Sequence, residues 1–399
     1  MRTLCLTAAA ALALLACDRP ADPEPTHTRP ANTATQAAPD PAVEGLQRVK
    51  NGELVNTAQY EALALELSAC PILTDGLAVD ARCPARVVLG RARIDPEALG
   101  EDAGAARAAI GYRLLAAKHP ATRVWAVTLA QNAPEATRRL AQHARGEENP
   151  AVLGRIARAL RTSAGKDPEI TSLLIELSRH AHRAVRREAA ASLASSWAFG
   201  EPSSLARVEE IVRDTGEELS VRKSTCKALG RRGEASSLEL LEKMTSAPPP
   251  EPDLYPACFA GLMAMWARPA THAAPSERAY EATMERLERK PRSERLPPWD
   301  TLSSLKWVAT PKLQEIAPWV DRARVERALE SLVDDSRYNW LGREAALRTL
   351  VDLGVGASRL EKLKARVSRG RFDEHNARVL RAIDEQIRLA RMREADAKP

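Results

Sequence analysis

The chain has 399 residues, 44% hydrophobic and 4% aromatic, with 59 Lys and Arg against 53 Asp and Glu. Its body of about 350 residues is too long for one ordinary globular core, so it either divides into domains or extends by repetition. A surplus of +6 over this length is consistent with a largely paired, solvated charge pattern and does not by itself call for a polyanionic partner.

From Leu4 to Ala16 no residue is charged, and only Arg2 precedes the run. A helix needs about twenty apolar residues to cross a bilayer, so the run is too short to span and reads as a signal-peptide core over residues 1–16. Leu14-Leu15-Ala16-Cys17 resembles a bacterial lipobox. That resemblance implies acylation of Cys17, which becomes the mature N-terminus. With two or more acyl chains, as on lipobox cysteines, anchoring is durable, whereas one chain binds only marginally. The expected product is an exported lipoprotein carrying palmitate-type lipid and anchored in the cell envelope. It would face the periplasm or the cell surface. Asp18 resembles an inner-membrane retention signal of enteric bacteria, a rule that differs between lineages, so the membrane stays open.

Residues 17–45 form the expected tether. Asp18 to Gly45 holds six prolines, and Val43 is its only branched aliphatic residue. Such a segment buries too little to offset chain entropy. It would reach roughly 30 Å as a coil and about 90 Å if extended.

Residues 46–94 read as an N-terminal capping segment, with a helix in "TAQYEALALELSACP". Beyond Cys5 and Cys17, four cysteines remain: Cys70, Cys83, Cys226 and Cys258. Cys70 and Cys83, each followed by Pro, are a candidate disulfide worth about 3 kcal/mol by loop entropy. Cys226 and Cys258 fall on apolar helix faces, where buried thiols are at least as expected as a pair.

Residues 95–246 read as helix after helix, with Pro in first turns at "DPEI" and "EPSS". Four helices share apolar residues at i, i+4, i+5 and i+8: Ala121/Trp125/Ala126/Leu129, Val152/Ile156/Ala157/Leu160, Val185/Ala189/Ala190/Leu193 and Val221/Thr225/Cys226/Leu229. Amphipathic partners alternate with them. Periods of just over thirty residues mark stacked helical hairpins, each too apolar on one face to stand alone. "VRREAAASL" and "VRKSTCKALG" resemble HEAT-like repeats, whose inner helix begins with Val-Arg and carries paired alanines before a Leu. The resemblance implies an all-α fold, an α-solenoid of HEAT-like hairpins. Residues 247–310 interrupt the rhythm with "APPPEP" and "RLPPWD" and are irregular repeats or an insertion. Residues 311–399 return to helical repeats and close on a helix with Val379, Ile383 and Ile387 on one side.

Catalytic signatures are weak. Ser-x-x-Lys occurs at Ser163, Ser220 and Ser303 without the KTG that acyl enzymes add. His180 and His182, two apart on the chain, do not share one helix face. No HExxH, GxSxG, Walker loop or CxxC occurs. No metal, cofactor or catalytic residue is therefore expected. Basic residues are more suggestive. Arg155, Arg158, Arg186, Arg187, Arg222, Lys223 and Lys227 lie on second helices of their hairpins. The HEAT resemblance implies that those helices line a concave side, which makes the seven a candidate partner-binding basic face. Trp299, Trp307, Trp319 and Trp340 are packing anchors or a partner hot spot.

These features point to a lipid-anchored, non-catalytic scaffold that binds another envelope macromolecule, a protein first. An anionic glycan or lipid headgroup is the second choice, and exported topology disfavours nucleic acid. The rivals are a HEAT-like lyase or glycosylase with carboxylates in its groove, and a basic-groove binder of nucleic acid or glycan.

Overall fold

The computed structural model describes residues 40–73, 77–100, 102–246, 249–267, 274–289, 302–370 and 373–396. The chain divides at Pro39/Asp40, and Asp40 opens the body. The signal peptide, Cys17, most of the tether and Trp299 lie outside the described residues. Helix α1 (Pro41–Lys50) begins inside the 17–45 stretch assigned to the tether, because the Asp40 side chain caps the Ala42 N–H and Pro41 fits the first turn.

The fold is all-α, a solenoid of hairpins. Among the described residues it contains twenty α-helices and one two-stranded sheet. The successive hairpins are α5 (Ala103–Leu114) with α6 (Pro120–Ala130), α7 (Ala136–Ala144) with α8 (Pro150–Ala159), and α9 (Pro168–Leu177) with α10 (Arg183–Leu193). Then come α11 (Pro202–Arg213) with α12 (Leu219–Arg232), and α13 (Ser236–Met244) with α14 (Tyr255–Ala267). One start device recurs. A polar side chain caps the N–H two residues ahead and Pro occupies the first turn: His119 before α6, Asn149 before α8, Asp167 before α9 and Glu201 before α11.

Second helices stack in a row, α6 on α8 on α10 on α12 on α14. Their buried positions are Thr122/Ala126/Val127/Ala130, Val152/Ile156/Ala157/Leu160, Val185/Ala189/Ala190/Leu193, Val221/Thr225/Cys226/Leu229 and Leu254/Cys258/Phe259/Leu262. First positions 122, 152, 185, 221 and 254 are spaced 30, 33, 36 and 33 apart. In α6 the register is thus one residue later than the sequence pattern had it. Trp125 is half-buried instead, held by Tyr60, whose hydroxyl accepts its Nε1–H at 3.3 Å, and by Arg86 over its ring.

Two helices approach unusually closely. A Cβ on Gly230 of α12 would lie 1.8 Å from the Gly261 carbonyl oxygen of α14. The same pair is joined by a Cys226–Cys258 disulfide with Cα atoms 4.9 Å apart. The two cysteines are therefore not free thiols. They occupy the i+5 and i+4 positions of neighbouring second helices, which face each other across the stack. With the partners 32 positions apart, the link removes roughly 3–4 kcal/mol of unfolded-chain entropy.

After α14 the array continues with a substitution. Helix α15 (Glu277–Glu288) packs on α14, and the 3₁₀ segment Ser303–Ala309 bridges α14 and the helix Trp340–Asp352, as a second helix would. Helices Arg322–Asp334 and Trp340–Asp352, then Ala357–Val367 and Glu374–Asp396, form the last two pairs. The terminal helix buries Val379, Ile383 and Ile387.

At the other end α2 (Thr57–Leu65) packs on α1, on α3 (Pro84–Arg91) and on the α5–α6 hairpin. Cys70 and Cys83 are disulfide-bonded and flank the sheet β1 (Ile72–Leu73) with β2 (Ala78–Val79), antiparallel with Ile72 opposite Val79. Leu77 has φ +47°, uncommon for a branched side chain, and is buried. Its methyl fills the space a Cβ at Gly154 of α8 would need.

Candidate functional site

Four second helices carry an arginine one position after the first buried residue: Arg123, Arg186, Arg222 and, in Trp340–Asp352, Arg343. Each guanidinium turns back to carbonyls at the end of its hairpin's first helix. Arg123 donates to Ala117 and Lys118 at 3.0 and 2.8 Å, Arg186 to His180 and Ala181 at 2.9 and 2.8 Å, Arg222 to Val212 at 2.7 Å, and Arg343 to Val333 at 2.7 Å. Each also reaches forward to the next hairpin, three to its turn and Arg343 to the first turn of its second helix. The acceptors there are Glu147 at 2.7 Å, Glu217 at 2.8 Å, Glu251 at 2.6 Å and Asn376 at 2.8 Å. A planar fork of donors satisfies two carbonyls or a carboxylate at once, which a lysine cannot do. These residues therefore tie hairpin to hairpin.

Arg186 and Arg222 accordingly leave the candidate basic face. Arg222 is only 3% exposed. Sequence could not separate them from their surface neighbours, because Val-Arg-Arg and Val-Arg-Lys each place one cation inward and the next outward.

The rest of the face looks different. On α8, Arg158 donates to Glu188 of α10 at 2.8 and 3.0 Å, and Arg187 lies 3.5 Å from the same carboxylate. Arg155 donates to Thr128 of α6 at 3.0 Å. Its Nε is buried and makes no hydrogen bond among the described residues, and the same holds for Nε of Arg161 in the 3₁₀ turn Leu160–Ser163 that ends α8. Burial, then the Arg158 charge, lowers the Arg155 pKa below the usual arginine range; burial lowers that of Arg161 too, with Arg158 and Arg231 adding repulsion. Lys223 and Lys227 are half-buried on α12. Arg161 and Arg231 were absent from the sequence-based face. Arg155/158/161 at successive i+3 steps was the signal that could have found Arg161.

Four histidines, His119, His143, His180 and His182, make structural contacts. His119 and His182 accept the N–H two residues on and cap α6 and α10, while His180 accepts from the His182 N–H. His143 faces Glu147 at 3.2 Å. Among the described residues no group of three His, Cys, Asp or Glu is placed to hold a metal, and no helix is long and apolar enough to cross a membrane. Of the tryptophans, Trp319 and Trp340 pack against the core, the latter beneath Arg378, and Trp307 is 39% exposed.

Glu147 shows what a tie is worth. Burial pushes its pKa up, but hydrogen bonds from His143, Arg123 and the Asn149 N–H outweigh it and hold the carboxyl at about 2. Its folded value is depressed, so its stabilisation is complete above the unfolded value near 4.5 and is lost as pH falls towards 2. The shift corresponds to about 3 kcal/mol at neutral pH. Glu147→Gln is expected to lower the melting temperature at pH 7 and to flatten the loss of stability between about pH 5 and pH 2. Parallel pH–stability curves for variant and wild type would contradict the tie.

Buried small residues at one register, arginine ties between hairpins and a period near 33 residues are decisive together. This is a HEAT-like repeat protein. The HEAT-repeat family profile matches residues 137–219 and 170–253, the hairpins from α7 through the turn before α14. Among solved structures, the HEAT-like chain resembles a chain of one described as showing Kap95p binding to RanGDP, at 14% identity and TM-score 0.45 over 84% of this protein. It spans 45% of that chain's length. It also resembles an engineered protein at 16% identity and TM-score 0.33, over 88% of this chain and 92% of the other. Both TM-scores lie below 0.5. No curated protein matches the sequence.

Proposed function

We propose that this HEAT-like protein is a lipid-anchored scaffold of the bacterial cell envelope that binds another protein, without catalysis, through the outward side of its second helices. The observation that carries the binding role is a division of labour among the charges. Arg123, Arg186, Arg222 and Arg343 are spent on cohesion between hairpins, while Arg155, Arg161 and Lys223 on the intervening surface have little or no internal use. A stacked array presents such a row as one continuous surface.

Two independent features support the envelope. Leu14-Leu15-Ala16-Cys17 resembles a lipobox after a short apolar core. Both Cys70–Cys83 and Cys226–Cys258 are oxidised pairs, which persist in oxidising compartments and are rare in a reducing cytosol.

Radiolabelled palmitate is expected to enter the wild-type protein and not Cys17→Ser, with the label in the membrane fraction; equal labelling of both would remove the anchor. For the scaffold role, crosslinking in intact cells followed by purification is expected to give a stoichiometric complex with one protein. Recovery of the protein alone under every crosslinker length would overturn it.

A further inference from the structure

Two arginines, Arg158 and Arg187, face a single carboxylate where α8 and α10 meet, and two more lie within electrostatic reach of it. Glu188 accepts both bonds of the Arg158 fork, and Arg187 is 3.5 Å away. Arg155 and Arg161 flank that pair, each within electrostatic reach of both Arg158 and Glu188. Arg231 at the end of α12 extends the group towards Arg161, and Lys223 lies on the next helix of the row.

Such a group is costly. Each Arg at half-burial gives up water, and like charges raise the free energy of their neighbours. The hairpin ties elsewhere relieve that cost with carbonyls and glutamates. Here Arg155 keeps one bond, to Thr128, and the Nε of both Arg155 and Arg161 stays buried and unbonded. A guanidinium fork matches the two oxygens of a carboxylate, and an added carboxylate beside these partly exposed side chains would reduce their mutual repulsion.

We infer that the Arg155–Arg158–Arg161–Arg187 cluster is an anion-binding site that receives an acidic segment of a protein partner, whose carboxylates complete the set that Glu188 begins. This rests on the protein-binding reading and supplies its chemistry.

The test uses the full chain without its lipid (Cys17→Ser) and a fluorescein-labelled oligo-glutamate peptide, followed by anisotropy. Saturable binding that weakens with salt is expected, with Arg155→Gln and Arg161→Gln each costing about tenfold in Kd and the pair more. Arg348→Gln, on an exposed i,i+4 pair of another hairpin, should leave Kd unchanged. Unchanged melting temperatures keep the comparison valid, and if Arg155→Gln fails to fold, Arg161→Glu alone carries the test. Equal affinity in the wild type and both Gln variants overturns the site, as does peptide binding that tracks net charge in every variant. Preferential loss of binding to anionic lipid vesicles, with the peptide unaffected, also overturns it. A crosslinked protein complex that survives in Arg155→Gln/Arg161→Gln would sink this site yet leave the scaffold reading standing.

Discussion

Gly230→Ala is expected to destabilise the array by on the order of 3 kcal/mol or more, the upper part of the range for overpacked interiors. The new methyl would stand 1.8 Å from the Gly261 carbonyl oxygen, and backbone, unlike a side-chain tip, cannot turn aside. The only relief is to separate α12 from α14. That movement strains the Cys226–Cys258 link, which fixes the same two helices about one turn away. It also opens the contact through which the hairpins before and after communicate, so unfolding should split into two transitions as neighbour coupling is lost. Gly146→Ala is the control, since a Cβ there meets nothing within 4 Å. It should stay within about 0.5 kcal/mol of wild type. Urea unfolding followed by far-ultraviolet circular dichroism reads both. A single unshifted transition in Gly230→Ala would mean that α12 and α14 do not touch at this point.

Much of the fold was legible because repetition states the same physical requirement several times. The same apolar spacing recurs at Val152/Ile156/Ala157/Leu160, Val185/Ala189/Ala190/Leu193 and Val221/Thr225/Cys226/Leu229, and burial follows it in those three helices. Where a single instance had to decide, the reading slipped. In α6 both Ala121 and Thr122 are buried, and Trp125 looked like a core residue because it is large and apolar. Its indole instead spans the edge, with its N–H on Tyr60 and Arg86 above. The 3₁₀ segment that stands in for a second helix after α15 carries no repeat signature, since its role comes from its neighbours. Cysteine pairing between Cys226 and Cys258 depended on which helices adjoin, and spacing of 32 residues equals one repeat only once the repeat is accepted.

The candidate surface was half legible for a related reason. Charge type is written in the sequence, but the direction of a side chain on a helix is set by what lies beside it. Arg186 and Arg187 are neighbours in the chain. One caps carbonyls at the end of the preceding helix and holds Glu217, and the other stands beside Glu188 in the arginine cluster.

Arg222→Ala makes that distinction measurable and should cost about 3 kcal/mol, near the lower end for breaking a buried charged group's contacts. Two donors leave the Val212 carbonyl, at 3.1 and 2.7 Å, where the arginine itself is only 3% exposed. Glu251, 30% exposed, recovers part of its solvation, which keeps the loss below the largest values for buried pairs. Arg222→Lys retains the charge but cannot hold Val212 and Glu251 together, so it should lie between wild type and alanine. Lys223→Ala is the contrast. It has no hydrogen bond or ion pair among the described residues, and its removal should change stability by under about 0.5 kcal/mol while weakening binding of the acidic peptide. Thermal unfolding of the three variants, with anisotropy on the same samples, separates the roles. Equal melting temperatures for Arg222→Ala and Lys223→Ala would put Arg222 back on the surface. In that case the arginine ties would no longer explain why the hairpins stay stacked.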